Sequence, residues 1–205
     1  MTTHNSRYEF ISQAKLPTRF GNFVIHGFLD TEKDQEHVAL SYGEWEESDT
    51  VPIRIHSECL TGDALFSTRC DCGFQLEKAL QNIVEKGSGV ILYLRQEGRG
   101  IGLLNKVRAY NLQDQGYDTV EANEHLGFDA DLREYGICKT ILATLNIQNV
   151  EIMTNNPKKI LALESMGINV VARKPIDHGI TNDNKHYLRT KTSKLGHQFD
   201  PDTLK

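Results

Sequence analysis

The stretch GFQLEKALQNIVEKGSGVILYL, residues 73–94, decides the fold class. Leu76, Ala79, Leu80, Ile83 and Val84 recur at the three- and four-residue spacing of one helix face, and Gly87 stops that helix. The apolar run GVILYL follows almost at once. It is too short for a second helix, and it reads as a strand buried on both faces. A helix feeding a buried strand predicts an α/β fold.

Working outward, residues 20–29, 37–42 and 51–56 mix aromatic and β-branched side chains and read as strands, with an acidic loop at 43–50. Residues 1–15 read as a loosely held end. On the other side, Leu103, Val107 and Tyr110 mark one helix face, and Cys138, Ile141, Leu142 and Leu145 mark another. Residues 150–154 read as a strand, 157–166 as a helix with proline first, and 168–171 as a last strand. Residues 174–205 form a polar tail of little periodicity. The expected architecture is an α/β sandwich in one domain: a mixed sheet flanked by helices, with an N-terminal section of mostly antiparallel strands.

With 205 residues and 39% hydrophobic content, the chain can bury a sizeable core. No apolar run reaches the ~18 residues of a membrane span. The opening MTTHNSRYEF lacks a signal peptide's apolar stretch, so a cytoplasmic location is expected. Thiols stay reduced there, and four cysteines then favour metal binding over disulfides. The net charge of −5 argues against a nucleic-acid partner. Local basic groups (Arg95, Arg99, Lys106 and Arg108, then Lys158 and Lys159) suit a small polyanion such as a nucleotide.

Cys59, Cys70 and Cys72 carry the chemistry. Three soft ligands and one open position describe a catalytic zinc with a bound water, whereas a structural site closes with four. Burial of all three in a core is the alternative, and Asp71 and Gly73 make the segment too polar for it. A fourth ligand would have to be His56, Asp71 or Cys138, and Cys138 fits its helix face better. Three thiolates on a dication leave a net charge of −1, so the water needs help from a nearby base or hydrogen bonds.

The segments HSECLTGD, LFSTRCDCGFQL, YLRQEGRGIGLLNKVRAYNLQDQGYDTVEAN and TNNPKK resemble the signature segments of GTP cyclohydrolase II. The resemblance covers residues 54–196. It implies an enzyme that converts GTP to a diamino-ribosylamino-pyrimidinone 5′-phosphate, formate and pyrophosphate, the first committed step of riboflavin synthesis. It implies zinc on Cys59, Cys70 and Cys72, with Asp131 as proton acceptor and Arg133 as nucleophile toward the α-phosphate. Tyr110 goes with complete deformylation. Substrate contacts are implied at Arg54, Ile55, His56, Ser57, Glu58, Gln75, Glu97, Gly98, Arg99, Thr119, Thr154 and Lys159. Magnesium with the phosphates and a homodimer are implied too. The segment before the cysteines is too short for the second enzyme domain fused to many relatives, so the stand-alone form is expected.

Several of these residues have plainer readings when taken alone. Asp131 is a natural helix N-cap with Glu134 as its box partner. Tyr110 reads as packing on a helix face, Asn156 as an N-cap, and EGRGIG as a tight strand–helix turn. Guanidinium is an odd nucleophile, because it is effectively always protonated. Arg133 can instead stabilise phosphate charge as a bidentate partner.

Overall fold

The computed structural model describes residues 6–129 and 131–199. Seven strands form one sheet: β1 (Tyr8–Pro17), β2 (Asn22–Asp30), β3 (Gln35–Tyr42), β4 (Thr50–Ser57), β5 (Gly89–Leu94), β6 (Asn149–Met153) and β7 (Asn169–Lys174). Among the described residues seven α-helices accompany them, besides a 3-10 turn at Glu97–Gly100: α1 (Leu60–Asp63), α2 (Cys72–Lys86), α3 (Leu103–Asp114), α4 (Thr119–His125), α5 (Ile137–Thr144), α6 (Pro157–Ser165) and α7 (Lys185–Leu195). The sheet order is β1-β2-β3-β5-β4-β6-β7. The pairs from β1 through β3 to β5 are antiparallel, and those joining β5, β4, β6 and β7 are parallel. The mixed α/β sandwich is therefore as expected, except that β4 joins the parallel half rather than the antiparallel group.

Alternation along β5 shows why GVILYL is apolar throughout. Val90, Leu92 and Leu94 face a core shared with Ile53, Ile55, Ile137, Ile141 and Leu163, under α5 and α6. Ile91 faces the opposite core, with Ala79, Leu80 and Ile83 of α2. Helices thus cover both faces, and side chains of both parities must be apolar. Helix α2 ends where the sequence stops it, with Gly87 in the left-handed conformation at φ 83°.

Three expectations need correction. Residues 8–15 are no loose end, because they belong to β1. This edge strand buries none of its residues, so it carries no in-and-out burial pattern, and a register shift between Phe10 and Ser12 leaves Ile11 an extra, exposed residue. The tail is structured as far as residue 199, while 200–205 lie outside the described residues: β7 runs to Lys174, and α7 packs beside the cleft described below. Finally, α3 presents its apolar stripe outward. Leu103, Leu104 and Val107 are exposed while Lys106 and Ala109 are buried, because the inward face serves a polar site rather than a core.

Candidate active site

Loops after parallel strands diverge where consecutive connections pass to opposite faces of the sheet, and they leave a crevice there. Between β4 and β6 that condition is met: α2 lies on one face and α6 on the other. A cleft of about 950 Å³, open solvent included, lies at this end of the strands.

At one end sit the three cysteines. Their sulfurs lie within 4.8 Å of one another, and Cys59 Sγ is 3.5 Å from Cys70 Sγ. Zinc–sulfur bonds of ~2.3 Å at tetrahedral angles put sulfurs roughly 3.8 Å apart, so the set fits three corners of such a site. Among the described residues no fourth ligand joins them. His56 hydrogen-bonds Asp63 at 3.0 Å, Asp71 accepts from Lys191 and Gln75, and Cys138 is buried in the core. Lys106 Nζ lies 3.1 Å from Cys59 Sγ and offsets thiolate charge. The neighbouring thiols and Lys106 pull the Cys59 pKa down, and hydrogen bonding to Cys59 pushes the Cys70 thiol up to about 12. A dication would displace the remaining protons.

Two buried carboxylates brace this end. Glu97 accepts from Lys106 Nζ at 2.7 Å, from Gly98 N at 2.8 Å and from Leu60 N at 2.6 Å. It ties the turn after β5 to the helix that follows Cys59. Asp63 accepts from Tyr93 Oη at 2.8 Å and from Cys59 N at 3.0 Å, beside its bond with His56. Tight packing between α1 and α2 sets the distance between Cys59 and the other two cysteines. A Cβ added to Gly73 would fall well inside contact distance of the Gly62 carbonyl oxygen. Gly73→Ala is therefore expected to cost about 2 kcal/mol, a melting point lower by roughly 4–8 °C, and to weaken metal retention. Thermal unfolding and metal analysis of the variant check this.

Basic groups share the lining with the cysteines. Arg54 donates to Gln75 Oε1 at 2.6 Å and to the Met153 carbonyl at 2.8 Å. Lys159, in the first turn of α6, donates to the Ile55 carbonyl at 2.7 Å. Arg99 donates to the hydroxyls of Thr119 and Tyr187. Among the described residues none of these three cations is paired with a carboxylate. Burial drives the Lys159 pKa well below its usual value, and Arg54, Arg133 and Lys191 add to that. Arg99 also holds a left-handed backbone, φ 61°, at a cost of about 1–2 kcal/mol. Uncompensated buried cations and local strain both mark a site built for an anionic ligand.

Arg133 is the exception, because Asp131 binds it through Nε and Nη2, each at 2.7 Å. Burial works against the Asp131 charge, but Arg133 overrides it and lowers that pKa. Asp131 is not a helix cap, since α5 starts only at Ile137. The capping box in this region belongs to Asp118 and Glu121 at the start of α4, where Thr119 is the first helical residue.

The cleft brings together Arg54, His56, Ser57, Glu58, Gln75, Glu97, Gly98, Arg99, Tyr110, Thr119, Arg133 and Lys159 with the three cysteines. Three expected residues do not line it. Ile55 points into the opposite core and offers only its carbonyl, Thr154 hydrogen-bonds Asn156 N at 3.0 Å, and Asp131 stands behind Arg133. Tyr110 is no packing residue: its hydroxyl lies 3.2 Å from Thr61 Oγ1, and the Arg69 guanidinium stacks on its ring. Burial pushes its pKa up to about 12. Of the buried side-chain atoms that lack a hydrogen bond, Arg54 Nε, His56 Nδ1 and Ser57 Oγ belong to this lining. Arg69, Asn123, Tyr187, Lys191 and His197 also line the cleft, although the sequence reading singled out none of them. The spacing of Tyr187 and Lys191, four apart on one helix face, was the available signal.

Comparison with known proteins finds close relatives of this chain. A GTP cyclohydrolase-2 of Pseudomonas aeruginosa is 61% identical over 190 residues, covering 93% of each chain. A riboflavin biosynthesis protein of Vibrio vulnificus is 59% identical over 197 residues; the chain spans 54% of its length. A solved two-domain 3,4-dihydroxy-2-butanone 4-phosphate synthase from A. baumannii aligns at a TM-score of 0.48 and 17% identity, covering 84% of this chain and 41% of that one. The family model for GTP cyclohydrolase II matches residues 9–175, which hold all three cysteines and the whole sheet except Tyr8, the first residue of β1. By that match and by its cleft, this chain belongs to the GTP cyclohydrolase II family.

Proposed function

We propose that the protein hydrolyses GTP to 2,5-diamino-6-(5-phosphoribosylamino)pyrimidin-4(3H)-one, formate and pyrophosphate, the first step of riboflavin biosynthesis. The observation that carries this is a single cleft lined both by a three-thiol cluster and by buried cations that have no carboxylate partner among the described residues. A purine triphosphate has a ring to be opened and an anion to be held. The same cleft can accept both.

Cys59, Cys70 and Cys72 hold zinc in this reading, and zinc there supplies the Lewis acidity that makes water nucleophilic toward C8. Lys106 limits the negative charge of the thiolate set. Glu58 lines the cleft with only a 3.8 Å approach from Arg95, so its carboxylate is available to the donor edge of guanine. Glu97 has less to give, because its oxygens already accept three hydrogen bonds. Tyr110, beside the cysteines, serves the second hydrolysis that releases formate. Arg54, Arg99 and Lys159 bind the triphosphate, with magnesium shared among its oxygens.

Asp131 holds Arg133 protonated, so Arg133 works as a charged clamp on the α-phosphate. Attack by its nitrogen would require Asp131 to take the proton first. The exposed Leu65, Phe66, Leu104 and Val107 suit a homodimer contact. No described helix is long and apolar enough to cross a membrane, and a cytoplasmic location accompanies this reading.

Zinc-loaded protein with GTP and Mg²⁺ should release formate and pyrophosphate in equal amounts with the pyrimidine product. Turnover without formate would contradict the reading. Lys159 adds a pH prediction. Burial keeps its free-state pKa low, and a bound triphosphate raises it, so binding takes up a proton. Affinity should then fall as pH rises through the interval between the free and bound values. Calorimetry of a GTP analogue in buffers of different ionisation heat should register the uptake, and Lys159→Met should remove it.

A further inference from the structure

The family match stops at residue 175, yet Tyr187, Lys191 and His197 line the cleft. Lys191 Nζ donates to Asp71 Oδ1 at 2.7 Å, Asp71 Oδ2 accepts from Gln75 Nε2 at 2.6 Å, and Gln75 Oε1 accepts from Arg54 at 2.6 Å. All four side chains are buried. One run of hydrogen bonds therefore joins α7, the Cys70–Cys72 turn and β4. The Tyr187 hydroxyl accepts from Arg99 at 3.3 Å, and Lys191 Nζ lies 4.6 Å from the centre of the Tyr187 ring. Beyond α7, Gly196 turns the chain back in the left-handed conformation, and Gln198 N bonds the Asn155 carbonyl at 2.8 Å. His197 is thereby set among Lys191, Arg133, Lys159 and Arg99.

We propose that residues 185–199 form the closing wall of the GTP site, and that Lys191 is a further contact for the triphosphate. The proposal rests on the GTP reading above. An ammonium has three protons, and the bond to Asp71 uses one of them. Lys191 lines the cleft together with Arg54 and Lys159, which have no carboxylate partner among the described residues, and Lys159 and His197 register its charge. A mere structural partner for Asp71 would not need to face that cavity. Lys191 and Arg133 have the counter-charges of Asp71 and Asp131, but Arg54 has no carboxylate partner among the described residues, and burial beside these cations disfavours the charged form of Lys159 until a polyanion lies among them.

The test uses full-length Lys191→Met and Lys191→Arg proteins. Lys191→Met strands the buried Asp71 carboxylate, so Lys191→Met/Asp71→Asn is made beside it to keep the fold. Binding of guanosine, GTP and inorganic tripolyphosphate is measured on each zinc-loaded protein. Loss of a charge-assisted bond should weaken GTP and tripolyphosphate about tenfold or more. Guanosine should change by less than about twofold, and Lys191→Arg should recover most of the loss. Equal weakening of guanosine and GTP, or no weakening at all, overturns the proposal. A wild-type protein that binds no GTP and releases no formate overturns it too, and marks the fault as the GTP reading itself.

Discussion

Cys70→Ser is expected to leave the protein folded, free of zinc, and at least about a thousandfold slower in formate release, the several kcal/mol a Lewis acid contributes. Cys70 is the sulfur 3.5 Å from Cys59, and serine offers a hard, protonated oxygen in its place. With two thiols left and no fourth ligand among the described residues, nothing compensates. The fold should survive, because Cys70 belongs to neither apolar core. Cys138→Ser is the contrast: Cys138 is fully buried in one of those cores, so a hydroxyl there should cost about 1–3 kcal/mol while zinc content stays at wild type. Metal analysis, thermal unfolding and formate release on both variants separate ligand from core residue.

Asp131→Asn is expected to lower stability by about 3 kcal/mol, a melting point lower by roughly 6–12 °C. It should also nearly abolish pyrophosphate release with zinc unchanged. Asp131 and Arg133 are each about one-tenth exposed and joined by two 2.7 Å hydrogen bonds. Without the carboxylate, a buried guanidinium loses its counter-charge and its fixed orientation. A bound triphosphate restores the charge, so GTP should raise the melting point of this variant more than that of wild type. Equal shifts would show that Arg133 does not meet the phosphates.

The parallel half of the sheet was legible in the sequence, because burial on both faces leaves an unbroken apolar run such as GVILYL and a regular stripe such as that of α2. The cysteine set was legible for a different reason: three thiols in a polar segment have few uses other than a metal. What failed was wherever polar residues face inward. α4 buries Thr119, Ala122 and Asn123, so it has almost no apolar period to read. α3 points Lys106 in and Val107 out, which inverts the usual rule. The attachments of α7 include Lys191 to Asp71 and Lys194 to Asp118 and Glu121, with Leu188 fully buried. β1 is an exposed edge strand with no buried residue, so no burial pattern marked it. The wall that α7 adds to the cleft was invisible for the same reason as its helix.

The most direct test of the account is a crystal structure of the zinc-loaded protein with a GTP analogue whose α–β bridge cannot be cleaved, with anomalous scattering collected at the zinc edge. The account predicts one zinc among the sulfurs of Cys59, Cys70 and Cys72, guanine C8 facing its open position, and the triphosphate against Arg54, Lys159 and Arg133. Zinc bound elsewhere, or a triphosphate lying at the cysteines with the base at the cationic end, would contradict it.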